Sequence, residues 1–153
     1  MGDHVRPELF KEIYELLPHR PPMLFINELI SLGPEHAETK VLINNQAAFF
    51  EPDKGVPAWI GLEYMGQTAA LIAGYQLKMG LVEPHLGFLL GTRSFKTNCS
   101  YFADDQTLEV SCQEKAVMGE SLATFACTIA NDENKDLLAS AVLSVFRKPE
   151  SKS

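Results

Sequence analysis

The stretch from Pro57 to about Met79 limits the possible folds most. It reads as one long helix, opened by a proline that suits a first turn and closed near Gly80. It is apolar almost all the way round. The small residues Ala58, Gly61, Gly66, Ala69, Ala70, Ala73 and Gly74 lower its helix propensity but let other backbones approach closely. Such a helix belongs in the centre of a domain, wrapped by something else. Glu63 and Gln67 interrupt its apolar run, so it is not expected to span a membrane. A carboxylate among Trp59, Ile60, Leu62, Tyr64 and Met65 is expensive to bury unless it has a partner or a purpose.

The wrapping is expected from strands on either side. Before the helix, "PMLFINELI" (22–30) and "ETKVLIN" (38–44) read as strands joined by a Gly33-Pro34 turn that leaves His36 exposed. After it come "GFLLGTRSFKTNC", "QTLEVSCQEKAV", "SLATFACTIA" and "DLLASAVLSVF". In the third of these, Phe125, Cys127 and Ile129 alternate with Thr124, Ala126 and Thr128, the period of a sheet with two different faces. "NDENKD" (131–136) is a polar hairpin turn. At the N-terminus, "PELFKEIYELLPH" has the spacing of a short amphipathic helix, stopped by Pro18. Two strands, a long apolar helix and four more strands define an α+β domain with an antiparallel sheet.

With 153 residues and 46% hydrophobic content, the chain fits one globular domain. A formal charge of -7 leaves no basic stripe for phosphates and argues against a nucleic-acid partner, although Lys78, Arg93 and Lys96 could form a local basic patch. The first residues lack a signal-peptide pattern, and Arg6 stands where a myristoylation motif needs Ser or Thr, so a cytoplasmic location is expected. Cys99, Cys112 and Cys127 are odd in number and lie in strand-like segments, as buried reduced thiols would. His4, His19, His36 and His85 have no ligand spacing, and no metal site is expected.

Two stretches resemble a known family. "LLPHRPPMLFINELI" is similar to the N-terminal Leu-Pro-His-Arg segment and first strand of the hotdog-fold 3-hydroxyacyl-acyl-carrier-protein dehydratases, with Asn27 where Asp is usual. "VPAWIGLEYMGQTAA" resembles their central helix: Pro57, Glu63, Met65 and Gln67 keep its register, while Ala58 replaces a glycine. "PAWxGLEYM" and "GFLLGTR" point to the aryl-polyene-pathway (ApeP-type) subgroup. The resemblance implies a hotdog fold, a sheet curled around the central helix, here over residues 1–148 with a polar tail at 149–153. It also implies a homodimer or a heterodimer with a related hotdog subunit, with active sites built from both subunits. The substrate would be carried on the phosphopantetheine of acyl carrier protein, with no further cofactor. One departure stands out. The Gly-His-Phe loop that carries the family's catalytic histidine is replaced by "AAFFEPDKGVP", and no histidine lies between His36 and His85.

Dehydration of a 3-hydroxyacyl thioester removes a proton beside the carbonyl, polarises that carbonyl and protonates the departing hydroxyl. Backbone N–H groups at a helix start can polarise the carbonyl; Pro57 has none, so Ala58 and Trp59 are the candidates. The resemblance places Glu63 at the acidic residue that handles the hydroxyl, and burial would push its carboxyl toward the neutral form a general acid needs. The alternative is a structural carboxylate paired with Arg20 or Arg93. Gln67, four residues on, would share the face of Glu63 and could orient it, or serve structure alone. His19 is the candidate base and has a structural alternative; His85 is a weaker one. Arg20 and Arg93 could balance Glu63 or steer the phosphopantetheine phosphate. Trp59, Phe88 and Phe95 could line an acyl tunnel or simply fill the core. Two other functions compete with dehydration: a hotdog thioesterase using the same helix start, and a non-catalytic subunit of a dehydratase heterodimer.

Overall fold

The computed structural model describes residues 13, 17, 23–82, 85–119 and 121–149. Eight strands are present among the described residues: β1 (Glu28–Leu32), β2 (His36–Leu42), β3 (Val56–Pro57), β4 (His85–Thr97), β5 (Tyr101–Phe102), β6 (Thr107–Met118), β7 (Leu122–Asn131) and β8 (Leu137–Pro149). A 3-10 turn, Ala58–Ile60, leads into the helix α1, Gly61–Lys78. The main sheet runs β1-β2-β6-β7-β8-β4, with every neighbouring pair antiparallel. β3 and β5 form a separate two-stranded ribbon. The α+β arrangement expected from the sequence is present, and α1 lies across β2, β6 and β7.

Burial follows the two periods. On β7, Ala123, Phe125, Cys127 and Ile129 are buried against the helix while their neighbours are not. On α1, Met65, Thr68, Ala69, Leu71 and Ile72 face the sheet. Gly61 permits this approach, because a Cβ there would lie 2.9 Å from Ile129 Cδ1. Polar contacts fix the register: the hydroxyls of Thr39 and Thr68 are 2.8 Å apart, and the Thr68 hydroxyl also donates to the Tyr64 carbonyl.

Three expectations are corrected. The helix does not begin at Pro57, because Val56 and Pro57 pair with Phe102 and Tyr101 and the Ala58 N–H donates to the Ser100 carbonyl at 2.9 Å. The first strand begins at Glu28 instead of residue 22, since the backbone at Met23 and Phe25 bonds to a helix side chain instead of a neighbouring strand. The helix is also not wrapped on all sides. Glu63 and Leu77 are exposed, and Gly66, Ala70, Ala73 and Gly74 between them are only half-buried. A Cβ on Gly66 would meet nothing within 4 Å. The six-stranded sheet covers one side of α1, and the small-residue stripe lies on the other.

Cys112 and Cys127 are buried as expected, directly opposite each other on β6 and β7 with sulfurs 2.7 Å apart; Cys99 is only half-buried. Burial pushes the Cys112 thiol well above its ordinary pKa, which keeps it protonated. The N-terminal helix expected over residues 7–19 lies outside the described residues except for Ile13 and Leu17. Both are buried, and the Leu17 N–H donates to the Ile13 carbonyl at 2.9 Å.

Gly55 sets the path into the helix. It has φ +110, and a Cβ there would fall 2.0 Å from the Phe102 carbonyl oxygen. Gly55→Ala is expected to cost about 3 kcal/mol, read as a lower thermal midpoint, because neither the backbone conformation nor the ribbon contact can accommodate a side chain.

Candidate active site

The site forms where the chain leaves the β3–β5 ribbon and enters α1. Pro57 has no N–H and that of Ala58 is taken by Ser100, so Ala58 cannot offer the donor expected of it. The Trp59 N–H has no hydrogen-bond partner among the described residues, so it is the free donor at the positive end of the helix. Its indole is 61% exposed and lies beside Phe49, itself 54% exposed, with ring centroids 6.2 Å apart.

Glu63 follows Trp59 by four residues and shares its face of the helix. Sequence reasoning expected this carboxylate to be buried among apolar groups. In the isolated chain it is exposed, and no ion pair or hydrogen bond engages it among the described residues. The apolar neighbours that suggested burial point into the sheet, whereas Glu63 points away from it. Arg93 does not balance it, since Arg93 is exposed on β4 without an ion pair among the described residues. His19 and Arg20 lie outside the described residues, as do the side chains of His85 and Phe88. His36 is exposed, as expected, and its Nε2 is 2.8 Å from the Ser31 hydroxyl.

Gln67 is 3% exposed, and its amide is fully directed at one segment: Oε1 accepts the Phe25 N–H at 2.9 Å and Nε2 donates to the Met23 carbonyl at 2.7 Å. It does not bond to Glu63. Its role here is to hold the strand lead-in against the helix, which places Phe25 edge-on to Phe49 and Tyr64 at 5.9 and 6.4 Å. Gln67→Leu is expected to cost about 1–3 kcal/mol, visible as faster hydrogen exchange at Phe25, because it leaves that buried N–H without a partner.

Two features escaped the sequence. Tyr64 is 2% exposed, and its hydroxyl has no hydrogen-bond partner among the described residues. Burial pushes its phenol well above the ordinary tyrosine range, so the group is neutral. The only available signal was a tyrosine directly following the candidate acid. The second feature is a buried ion pair between Arg147 and Glu114, with the Gln76 Oε1 accepting from Arg147 at 3.2 Å and the Gln76 Nε2 donating to the Pro34 carbonyl at 2.7 Å. Its signal was phase: Arg147 is in step with buried Ala141 and Leu143, and Glu114 with buried Val110 and Cys112. This pair ties the C-terminal end of α1 to β6 and β8, away from Glu63.

Two cavities differ in chemistry. The larger, about 500 Å3, is walled by turn residues including Asp104, Asp105, Asp132 and Glu133 and touches none of the candidate residues. The smaller, about 250 Å3, is lined by Tyr64, Phe25 and Asn27 and adjoins the helix start. Among the described residues, no three His, Cys, Asp or Glu side chains are placed to hold a metal ion, and no helix is long and apolar enough to cross a membrane.

A long helix crossed by an antiparallel sheet is the hotdog fold, and here it carries a free N–H at the helix start and an acid one turn on. Residues 11–153 match the ApeP-like family, described as ApeP dehydratase, and the chain belongs to that family. It is 32% identical over 84 residues to the 3-hydroxyacyl-[acyl-carrier-protein] dehydratase FabZ of Anaeromyxobacter dehalogenans, a match covering 52% of this chain and 54% of that protein. The chain thus spans about half the length of this curated relative. Among solved structures, a chain of the dehydratase heterocomplex ApeI:P from Xenorhabdus doucetiae superposes with TM-score 0.77 at 22% identity, over 91% of each chain. A hypothetical thioesterase with coenzyme A from Streptococcus pneumoniae superposes with TM-score 0.63 at 14% identity, over 82% of this chain and 88% of that one. At these identities the structural matches bear on the fold.

Proposed function

We propose that this protein dehydrates 3-hydroxyacyl chains, carried as thioesters on acyl carrier protein, to 2-enoyl thioesters. The observation that carries this is the pairing of a free Trp59 N–H with an unengaged Glu63 carboxyl on one exposed face of the helix start. The N–H takes up negative charge on the thioester oxygen as the proton beside the carbonyl leaves. Glu63 delivers a proton to the 3-hydroxyl, which departs as water as the double bond forms. The proposed base is His19, which receives the carbon-bound proton; Arg20 and Arg93 are proposed to steer the phosphopantetheine phosphate.

The open face of α1 supports a second proposal, that the site is completed by a second hotdog subunit, identical or related. The half-buried Gly66, Ala70, Ala73 and Gly74 would let another backbone approach. Family membership supports the dehydratase reading, and the absence of a histidine beside Glu63 among the described residues favours a shared site.

The decisive assay incubates a synthetic 3-hydroxyacyl thioester with the protein, alone and co-purified with a related hotdog subunit. Enoyl absorbance and free thiol are followed together. Enoyl product without thiol is the expected result, from either preparation. Thiol release would instead make the protein a thioesterase. No product with a partner that is active without it would make the chain a non-catalytic subunit.

A further inference from the structure

Four strands of the main sheet carry one row of small side chains beneath α1. Ala37 on β2 lies opposite Cys112 on β6, Cys112 opposite Cys127 on β7, and Cys127 opposite Ala141 on β8. All four are buried. In the middle of the row two thiols meet with sulfurs 2.7 Å apart, and the Cys112 thiol also donates to the Met65 carbonyl of α1 at 3.4 Å. The proposed dehydration uses neither thiol. Cys99, the third cysteine of the chain, is half-buried and is not paired with another thiol.

The backbone already has the spacing of a cross-link. Directly opposed residues of an antiparallel pair hold their Cα atoms about 4.5–5.5 Å apart, inside the range that a disulfide spans. A bond of about 2.05 Å requires the two sulfurs to close by only about 0.7 Å. Their neighbours in the row end in single methyl groups, so no long side chain has to be displaced. Burial keeps the Cys112 thiol protonated and therefore slow to react. Reaction then goes through local opening of the strands, to an oxidant small and uncharged enough to enter a packed core. Hydrogen peroxide meets that requirement.

We propose that Cys112 and Cys127 form a redox modification site, at which a peroxide converts the thiol pair into a disulfide that clamps β6 to β7 beneath α1. One thiol, as its thiolate, attacks an oxygen of the peroxide. The S–O bond forms, the O–O bond breaks, and the leaving hydroxide takes up that thiol's proton as water. The second sulfur then attacks the resulting sulfenic acid: the S–S bond forms, the S–O bond breaks, and a second water leaves with the second thiol's proton. Two thiols together lose two electrons, and one peroxide gains them. The bridge closes the loop over residues 113–126 and removes the S–H that donates to Met65. A thiol reductant reverses it. None of this depends on the dehydratase reading.

The test takes the full chain, reduced and freed of reductant, and exposes it in native buffer to hydrogen peroxide. Non-reducing digestion and mass spectrometry map the cysteines, and melting curves are recorded before and after. The expected main product joins the Cys112 and Cys127 peptides with a loss of two hydrogens. Its thermal midpoint is expected about 10 °C above that of the reduced chain, and dithiothreitol restores the original value. In Cys127→Ala the bridge and the shift are both absent, and dimedone traps a sulfenic acid on Cys112. If Cys127→Ala does not fold, the peptide map of the unsubstituted chain decides alone. Four results would each overturn the proposal and leave the pair as small core side chains: Cys112 and Cys127 thiols that stay reduced until denaturant is added, sulfinic or sulfonic acid there as the main product, a bridge running to Cys99 instead, or a linked chain that melts no higher than the reduced one.

Discussion

Glu63→Gln is expected to lower kcat for dehydration by about a hundredfold or more, with little change in KM and a thermal midpoint within about 2 °C of the unsubstituted protein. The two halves of this expectation come from one observation. Glu63 is exposed and engages no partner among the described residues, so folding draws nothing from its charge. The amide keeps the shape and the hydrogen-bonding reach of the acid but has no proton to deliver to a departing hydroxyl. A structural carboxylate would give the opposite pattern: a lower midpoint and near-normal turnover of the folded fraction. Steady-state kinetics and a melting curve on the same preparation, assayed with whichever partner supports activity, decide between them. Full activity in Glu63→Gln would remove Glu63 from the chemistry.

Arg147→Met should do the reverse, costing about 3–5 kcal/mol of stability because it strands Glu114 beside Gln76 with no cation. In a chain of this size that loss lowers the thermal midpoint by roughly 10 °C. The double variant Glu114→Met with Arg147→Met is expected to recover most of it, since replacing both partners of a buried pair by apolar groups is frequently neutral. A single variant that melts within about 2 °C of the parent would show that the pair is solvated and carries little. So would a double variant no more stable than the single one. Residual folded Arg147→Met should dehydrate at a normal rate, because the pair sits at the far end of α1 from Glu63.

The two variants probe the two ends of one helix, and the sequence was unequally informative about them. At the N-terminal end, the family resemblance of the Pro57–Gln67 stretch singled out Glu63, and the helix start singled out Ala58 and Trp59 as candidate N–H donors. Helical spacing suggested that Gln67 would serve Glu63. In the structure Gln67 turns to Met23 and Phe25, more than forty residues earlier in the chain. Nothing local to the helix could have named those partners. Ala58 was misjudged for a similar reason, since its N–H is removed by Ser100 on the far side of the ribbon. At the C-terminal end, the inward phase of Arg147 and Glu114 was legible, but their pairing depends on β6 and β8 being brought together with β7 between them.

The central helix and the strand periods were determined by the sequence alone, because each depends on spacings of two to four residues that the backbone geometry enforces locally, while Glu63 was singled out by resemblance to a family. Only the tertiary structure decided which side of that helix is covered. The sheet packs against Met65, Thr68 and Ile72 and ends there, leaving Glu63 and the small residues below it open. Helical periodicity says which residues share a face, but not which faces find a neighbour within the same chain. That is also why Tyr64, one residue from Glu63 and a hundred degrees round the helix, ends up buried at a cavity while the acid stays open.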